Sequence, residues 1–350
     1  MKKILLALAI FTSVQVADAQ VKSAADAKKA VEAAEAAAKN EKKAIKVATW
    51  IKLGQEYVKA YDAPTGSVIP GASKTELSLM MGSEKAQSTE VVTINGEQYE
   101  KNVYADKNLY FNAKGQLAII EVTKPVYADA LEKATDAYQK AYEIDTKQTK
   151  VKDIAEAYKQ IADKYMNEAF NKYTFGDLSA ASKLFEKAAD VEALAPLSKI
   201  DTSAIYNAGF TAWASKDNAR AKDLFEKCYN LGYYYEGGEV FAKLADVDTL
   251  NTKKYLEEGF EKFPQSQSIL IGLINYYLKA NESTDRLFEL LDKAKVNEPN
   301  NASLYYVEGN IRAQLGDLDK AVVAYEKCAE INPEYEYGYI GEGTMFYNKA

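Results

Sequence analysis

The stretch Ala302–Pro333, ASLYYVEGNIRAQLGDLDKAVVAYEKCAEINP, decides the reading of this chain. Its apolar spacing predicts two short amphipathic helices joined by a Gly316-Asp317 turn. Pro333 stops the second helix, because proline cannot continue the hydrogen-bond ladder. Neither helix is long enough to be stable alone in water. Gly309 falls mid-helix, where glycine costs about 1 kcal/mol against alanine. It therefore predicts a close approach that leaves no room for a side chain. Ala321 and Cys328 are the small residues of the second helix, and Tyr305 and Tyr325 are the bulky ones that fill the remaining space. One such hairpin cannot bury its apolar face, so neighbours must stack on it.

In its order of large, small and terminating residues this stretch resembles a tetratricopeptide repeat (TPR). Related patterns lie upstream. Residues 162–191 carry Tyr165, Ala169, Gly176-Asp177, Ala181, Phe185 and Ala188, and residues 202–231 carry Ile205, Gly209, Asp217, Ala221, Phe225 and Cys228. Residues 239–264 form a degenerate unit with a short first helix, and residues 268–299 restore the full length with Leu287, Leu291 and Ala294. Pro264, Pro299 and Pro333 are 35 and 34 residues apart, against a repeat period of about 34. Near the start, Trp50, Leu53, Gly54 and Tyr57 give the W-x2-LG-x2-Y opening of a first helix. Its second helix appears only at 127–144, with Ala134, Tyr138 and Ala141 in the expected rhythm.

The insertion between them changes period. Glu90–Ile94, Asn95-Gly96 and Glu97–Tyr104 predict a hairpin with a type I′ turn. Leu109–Phe111 and Gln116–Val122 predict a second hairpin, and Ser73–Met81 a short helix ahead of both. The resemblance thus implies an all-α superhelical solenoid of helix-turn-helix repeats, with a small antiparallel β insertion in the first repeat. The expected organisation is a signal peptide over 1–19, an Ala/Lys/Glu-rich leading helix or spacer over 20–43, a first repeat over 44–146 split at about 63–124, and a repeat array over 147–350. The last repeat is incomplete: residues 336–350 match a first helix only, through Tyr339, Gly343 and Phe346. A solenoid normally ends in a polar cap, so the natural chain is expected to continue past Ala350.

The signal peptide follows from Lys2-Lys3, the apolar run Ile4–Val16 and the small-x-small Ala17-Asp18-Ala19 before Gln20. Cleavage after Ala19 and export, to the periplasm of a Gram-negative cell, are the expectation. No later stretch is apolar enough to span a bilayer. Cys228 and Cys328 occupy equivalent slots three repeats apart, too far for a disulfide, so both are expected as buried free thiols.

Composition narrows the chemistry. The chain has 350 residues, 47% of them apolar, a net charge of −7 and no histidine. The negative charge argues against a nucleic-acid partner. Without histidine the usual general base and the commonest metal ligand are missing. No nucleophile elbow, phosphate loop or dinucleotide fingerprint is present. Asp106-Lys107-Asn108 begins like a calcium loop, yet the required glycine and terminal glutamate spacing fail. No enzyme activity, metal or cofactor is expected.

A binding surface is the better candidate. In TPR proteins the first helices line a concave groove, and by that resemblance the residues one step off the packing positions point into it. They are Met166, Phe170 and Tyr173, then Tyr206, Phe210 and Trp213, then Tyr276, then Tyr306, Asn310 and Gln314. Exposed aromatics in a concavity suit a peptide or protein partner, though aromatic stripes at helical spacing also serve as core. The cluster Tyr229–Gly238 is expected to pack in the core at a repeat junction. Glu168/Lys172 and Glu308/Arg312 are i, i+4 pairs where many TPR helices carry apolar or tyrosine residues; they read either as surface pairs or as a partner-reading charge ladder. The leading expectation is a non-enzymatic exported scaffold that binds another envelope protein or an extended peptide. The alternative is a periplasmic carbohydrate or small-ligand binder using the same aromatics.

Overall fold

The computed structural model describes residues 23–66, 68–279 and 285–349. The expected signal peptide lies outside them. The described residues form helices α1 (Ala24–Lys39), α2 (Glu41–Ala44), α3 (Val47–Asp62) and α4 (Lys74–Met81), strands β1 (Ser88–Ile94), β2 (Glu97–Val103), β3 (Lys107–Phe111) and β4 (Leu117–Val122), and α5 (Ala130–Ile144). Helices α6 (Val151–Thr174), α7 (Leu178–Ala193), α8 (Thr202–Ala214), α9 (Asn218–Asn230), α10 (Glu239–Val247) and α11 (Thr252–Lys262) follow. The last are α12 (Gln267–Lys279), α13 (Asp285–Asn297), α14 (Ala302–Gln314), α15 (Leu318–Ile331) and α16 (Tyr337–Lys349). Two compact units divide the chain, Met1–Ile154 and Ala155–Ala350.

In the first unit α3 packs against α5 across the insertion. Gly54 makes this possible, because a Cβ there would sit 2.6 Å from the Tyr138 ring. α1 docks on α3 through a narrow stripe of Ala27, Val31 and Ala34, all buried. Tyr57 on α3 donates to the Glu35 carboxylate of α1, and Trp50 Nε1 donates to the Ala44 carbonyl at 2.7 Å. The alanine-rich leader is therefore a docked helix. Its small residues let two backbones approach closely, which replaces the large apolar side chains it lacks.

The insertion is an antiparallel meander in the order β1-β2-β3-β4. Asn95 and Gly96 both have positive φ, 51° and 84°, as a type I′ turn requires. Ser73 caps α4 in a capping box with Glu76. Leu77 of α4 closes a small core with Leu109, Phe111 and Leu117. Asp106 and Glu84 both pair with Lys107, at 3.2 and 2.7 Å, so these carboxylates serve the sheet.

The second unit is a stack of helix hairpins. Each helix from α7 to α16 contacts the next in sequence, and α10 with α12, α11 with α13 and α14 with α16 also touch. That pattern of nearest and next-nearest neighbours is a solenoid. One joint recurs between first and second helices. Asp177, Asp217 and Asp317 donate their N–H groups to the carbonyls of Lys172, Ala212 and Arg312, at 2.9, 3.0 and 2.9 Å. The residue before each aspartate is left-handed: Gly176 at φ 78°, Lys216 at 69° and Gly316 at 80°. This is a Schellman end, and the same Asp177 and Asp217 side chains cap the following helix. Lys216 occupies a position where glycine carries no steric cost.

Close packing explains the small residues. A Cβ on Gly209 would lie 3.0 Å from Phe225, and one on Gly309 would strike the Tyr325 ring. Ala169 of α6 takes the corresponding place above Phe185, whose ring meets Phe170 edge-on at 5.1 Å. Both cysteines are free and buried. α6 begins eleven residues before the expected repeat start at Ala162, because Ile154, Tyr158 and Ile161 continue its buried stripe at helical spacing. The Glu308–Arg312 pair, at 2.8 Å, also receives Lys295 of α13 at 2.6 Å, and Arg312 covers the Phe288 ring at 4.6 Å. It therefore ties α14 to α13.

Candidate functional site

The sequence-predicted groove residues divide into two groups. Met166, Phe170, Tyr173, Phe210 and Trp213 are half-buried and lean on the core. Tyr206 departs from the expectation of exposure. It is only 5% exposed, because Tyr235 stacks on it at 3.9 Å and Tyr233 meets it edge-on at 6.4 Å. The expected core cluster at 229–238 thus covers part of the first-helix face. Its Tyr234 packs on Phe241 at 4.8 Å and Tyr229 on Phe241 at 5.7 Å.

Trp213 is also engaged from within the chain. Its Nε1 donates to Asp246 at 2.6 Å, and the Lys243 ammonium lies 3.5 Å from the ring centroid. Burial pushes the Lys243 pKa down, against the opposing pull of Glu239 and Asp246. A cation–π contact this close satisfies the ring face that a ligand would use. The degenerate unit places α10, with Lys243 and Asp246, directly beside the aromatic row.

The open concavity lies further along, between α12, α14 and α16. It has a volume of about 360 Å³, within the range of small binding clefts. Tyr306, Asn310 and Gln314 of α14 line it. Tyr276 does not. It borders a separate shallow hollow with Lys254, Glu257 and Leu250 of α11 and its leading loop. Ile271, Ile274 and Asn275 represent α12 instead. The displacement is one residue, roughly 100° around a helix. Because the unit from Pro264 to Pro299 is 35 residues long, Ile271 and Asn275 match Tyr306 and Asn310. That 35-residue spacing was the signal that could have found them.

From α16 come Ile340, Gly341, Thr344 and Met345. The Tyr325 hydroxyl donates to Asn310 Oδ1 at 2.7 Å, which fixes the amide and leaves its nitrogen turned the other way. Burial pushes the Tyr325 pKa up to about 12, so the ring stays neutral. Among the described residues no charged side chain lines the cavity. Its polar groups are the amides of Asn275, Asn310 and Gln314 and the hydroxyls of Thr344, Tyr306 and Tyr325, set among isoleucine and methionine. Each amide offers a donor and an acceptor. Among the described residues no group of three or more histidine, cysteine, aspartate or glutamate side chains is placed to hold a metal, and no helix is long and apolar enough to cross a membrane.

The tetratricopeptide repeat family profile matches residues 302–335. Residues 302–335 thus form a tetratricopeptide repeat. The chain is similar to the TPR repeat-containing protein MJ1428 of Methanocaldococcus jannaschii, with 24% identity over 221 residues, 57% of this chain and 39% of the relative. It thus spans about two fifths of that protein's length. Among solved structures it is similar to YrrB, described as a TPR protein with an unusual peptide-binding site, at 21% identity over 60% of this chain and 99% of the other, with a TM-score of 0.33. It is also similar to a tetratricopeptide repeat protein from Parabacteroides merdae, at 13% identity over 62% of this chain and 90% of the other, with a TM-score of 0.32.

Proposed function

We propose that this protein is a non-enzymatic scaffold of the cell envelope that holds an extended segment of another envelope protein in the groove of α12, α14 and α16. The observation that carries this reading is the lining. Amides of Asn275 and Asn310 recur one repeat apart, Gln314 and Thr344 extend the row, and apolar side chains fill the intervals without a charge. An extended peptide presents main-chain donors and acceptors at regular intervals between side chains, which is the complement of such a row. Aromatic faces suited to a sugar are less available, since Tyr235 covers Tyr206 and Lys243 covers Trp213. Export, with the leader removed after Ala19, and a periplasmic location rest on the pattern from Lys2-Lys3 to Ala17-Asp18-Ala19.

A photo-crosslinking amino acid at Gln314, which is exposed in the groove, should capture a protein partner in intact envelopes. The same group at Val323, exposed on α15, should not. Asn275→Ala with Thr344→Ala, both exposed in the groove, should abolish that capture while leaving the thermal melt unchanged. Equal capture from Val323, or capture that survives the double substitution, would refute the groove assignment.

A further inference from the structure

The outer edge of the β meander is open. β1 is an edge strand that pairs with β2 in full register, from Ser88↔Val103 to Ile94↔Glu97. With the two-residue Asn95-Gly96 turn, Ile94↔Glu97 is the hydrogen-bonded pair that closes the hairpin. Val92, Glu90 and Ser88 therefore direct their backbone groups to β2. Thr89, Val91 and Thr93 direct theirs to the free edge. The opposite edge is covered: Gly71 N–H donates to the Leu117 carbonyl at 2.7 Å, and Leu117 N–H donates to the Ala72 carbonyl at 2.9 Å. Among the described residues no such contact runs along β1. Ser88 to Val91 are exposed, Val91 to 70%.

Proteins blunt exposed edges with lysine, proline or bulges. Between Ser88 and Ile94, β1 has no lysine, proline or bulge; the ladder's irregularity lies at the strand's start, where Gln87 N–H donates to the Val103 carbonyl at 2.7 Å, clear of Thr89 to Thr93. The strand's sequence STEVVTI is mostly β-branched, and its pairing with β2 is uninterrupted. We propose that β1 pairs with β1 of a second copy of this chain, antiparallel about a two-fold axis through Val91, joining the two four-stranded sheets into one. Val91 then faces the partner's Val91, and Thr89 faces the partner's Thr93. All three outward-directed residues of each strand exchange both backbone groups across the axis.

Charge selects this register. Glu90 falls opposite the partner's Val92 and keeps its ion pair with Lys101, at 2.9 Å within its own hairpin. Sliding two residues one way sets Glu90 opposite the partner's Glu90, and like charges directly opposite are destabilising. Sliding two residues the other way sets Thr89 against the turn residue Asn95, so its ladder bonds are lost. Edge pairing covers less surface than a standard permanent interface. The dimer is consequently a concentration-dependent equilibrium.

Sedimentation velocity of the full chain over rising concentration tests this. Wild type should pass from monomer to dimer. Val91→Lys places two ammonium groups together on the axis, and Val91→Pro removes only an outward N–H that β2 does not use. Both variants should stay monomeric with the wild-type thermal melt. Val91→Cys should crosslink on oxidation with copper phenanthroline, because facing residues of a hydrogen-bonded pair lie about 5.5 Å apart, within the span of a disulfide. Thr89→Cys keeps its two-fold-related thiols out of reach and should not crosslink. A wild type that is monomeric throughout, a dimer that survives Val91→Lys, or a Thr89→Cys crosslink as efficient as that of Val91→Cys would overturn the proposal.

Discussion

Replacing Gly309 by alanine tests whether the close contact between α14 and α15 is the reason for glycine there. In an exposed helix this change would stabilise by about 1 kcal/mol. Here the added methyl would lie 2.6 Å from Tyr325 Cδ1 and 2.8 Å from Cζ, against a comfortable carbon–carbon separation of about 3.5–4.0 Å. The ring has nowhere to go. It is 2% exposed, its hydroxyl is held by Asn310, and Gly341 of α16 presses on the same ring, where a Cβ would lie 2.5 Å from Tyr325 Cδ1 and Cε1. Overpacking of a well-filled core costs about 1–3 kcal/mol, and a ring pinned on both sides places this case near the top of that range. The net expectation is destabilisation by about 2 kcal/mol after the propensity gain is subtracted. In a Tyr325→Ala background the obstacle is gone, and Gly309→Ala should stabilise by up to about 1 kcal/mol. Urea unfolding followed by far-UV circular dichroism, with amide exchange resolved on α14 and α15, reads both values, because repeats can open locally. The same sign of effect in both backgrounds would refute the packing argument.

Glu56 and the cysteines supply two further tests. Burial alone would push the Glu56 carboxyl up, but hydrogen bonds from Lys52 at 2.5 Å and Lys59 at 3.1 Å, with their charges, outweigh it and hold the pKa at about 2. Its contribution to stability is therefore full above the ordinary carboxylate value of 4.5 and is lost as pH falls from there toward 2. Urea midpoints should drop over that window in wild type and drop less in Glu56→Gln; identical pH profiles would exclude the effect. Burial pushes the Cys228 thiol up to about 12, and Cys328 is raised for the same reason. Neither should react with a thiol reagent at pH 8 until the chain unfolds, and labelling of the native protein would contradict their burial.

How much of this was legible depended on the kind of interaction. The 302–333 repeat was readable because glycine, alanine and proline at fixed offsets report backbone contacts, and such contacts admit few residue types. The Asn95-Gly96 hairpin was readable for a similar local reason, the positive φ of its turn. The α3–α5 pairing could be proposed across the insertion because Gly54 and Tyr138 repeat the relation of Gly309 and Tyr325. The groove was less legible. Tyr206 has the sequence signature of an exposed aromatic, yet a loop almost thirty residues later lays Tyr235 on it. Tyr276 was misplaced because the 35-residue unit shifts the helix face by one position. The meaning of Glu308/Arg312 depended on Lys295 and Phe288 arriving from α13.

The sequence by itself determined the helical repeat architecture, the small antiparallel sheet early in the chain and the burial of both cysteines. Each follows from short-range spacing or from residues with strong conformational preferences. Only the tertiary structure decided where the concavity stays open. The aromatic row of α8 is closed over by Tyr235 and Lys243, whereas Asn275, Tyr306, Asn310 and Thr344 converge on free space. Exposure is a property of what the rest of the chain places nearby, and that information is not carried by the helix on which the residue sits.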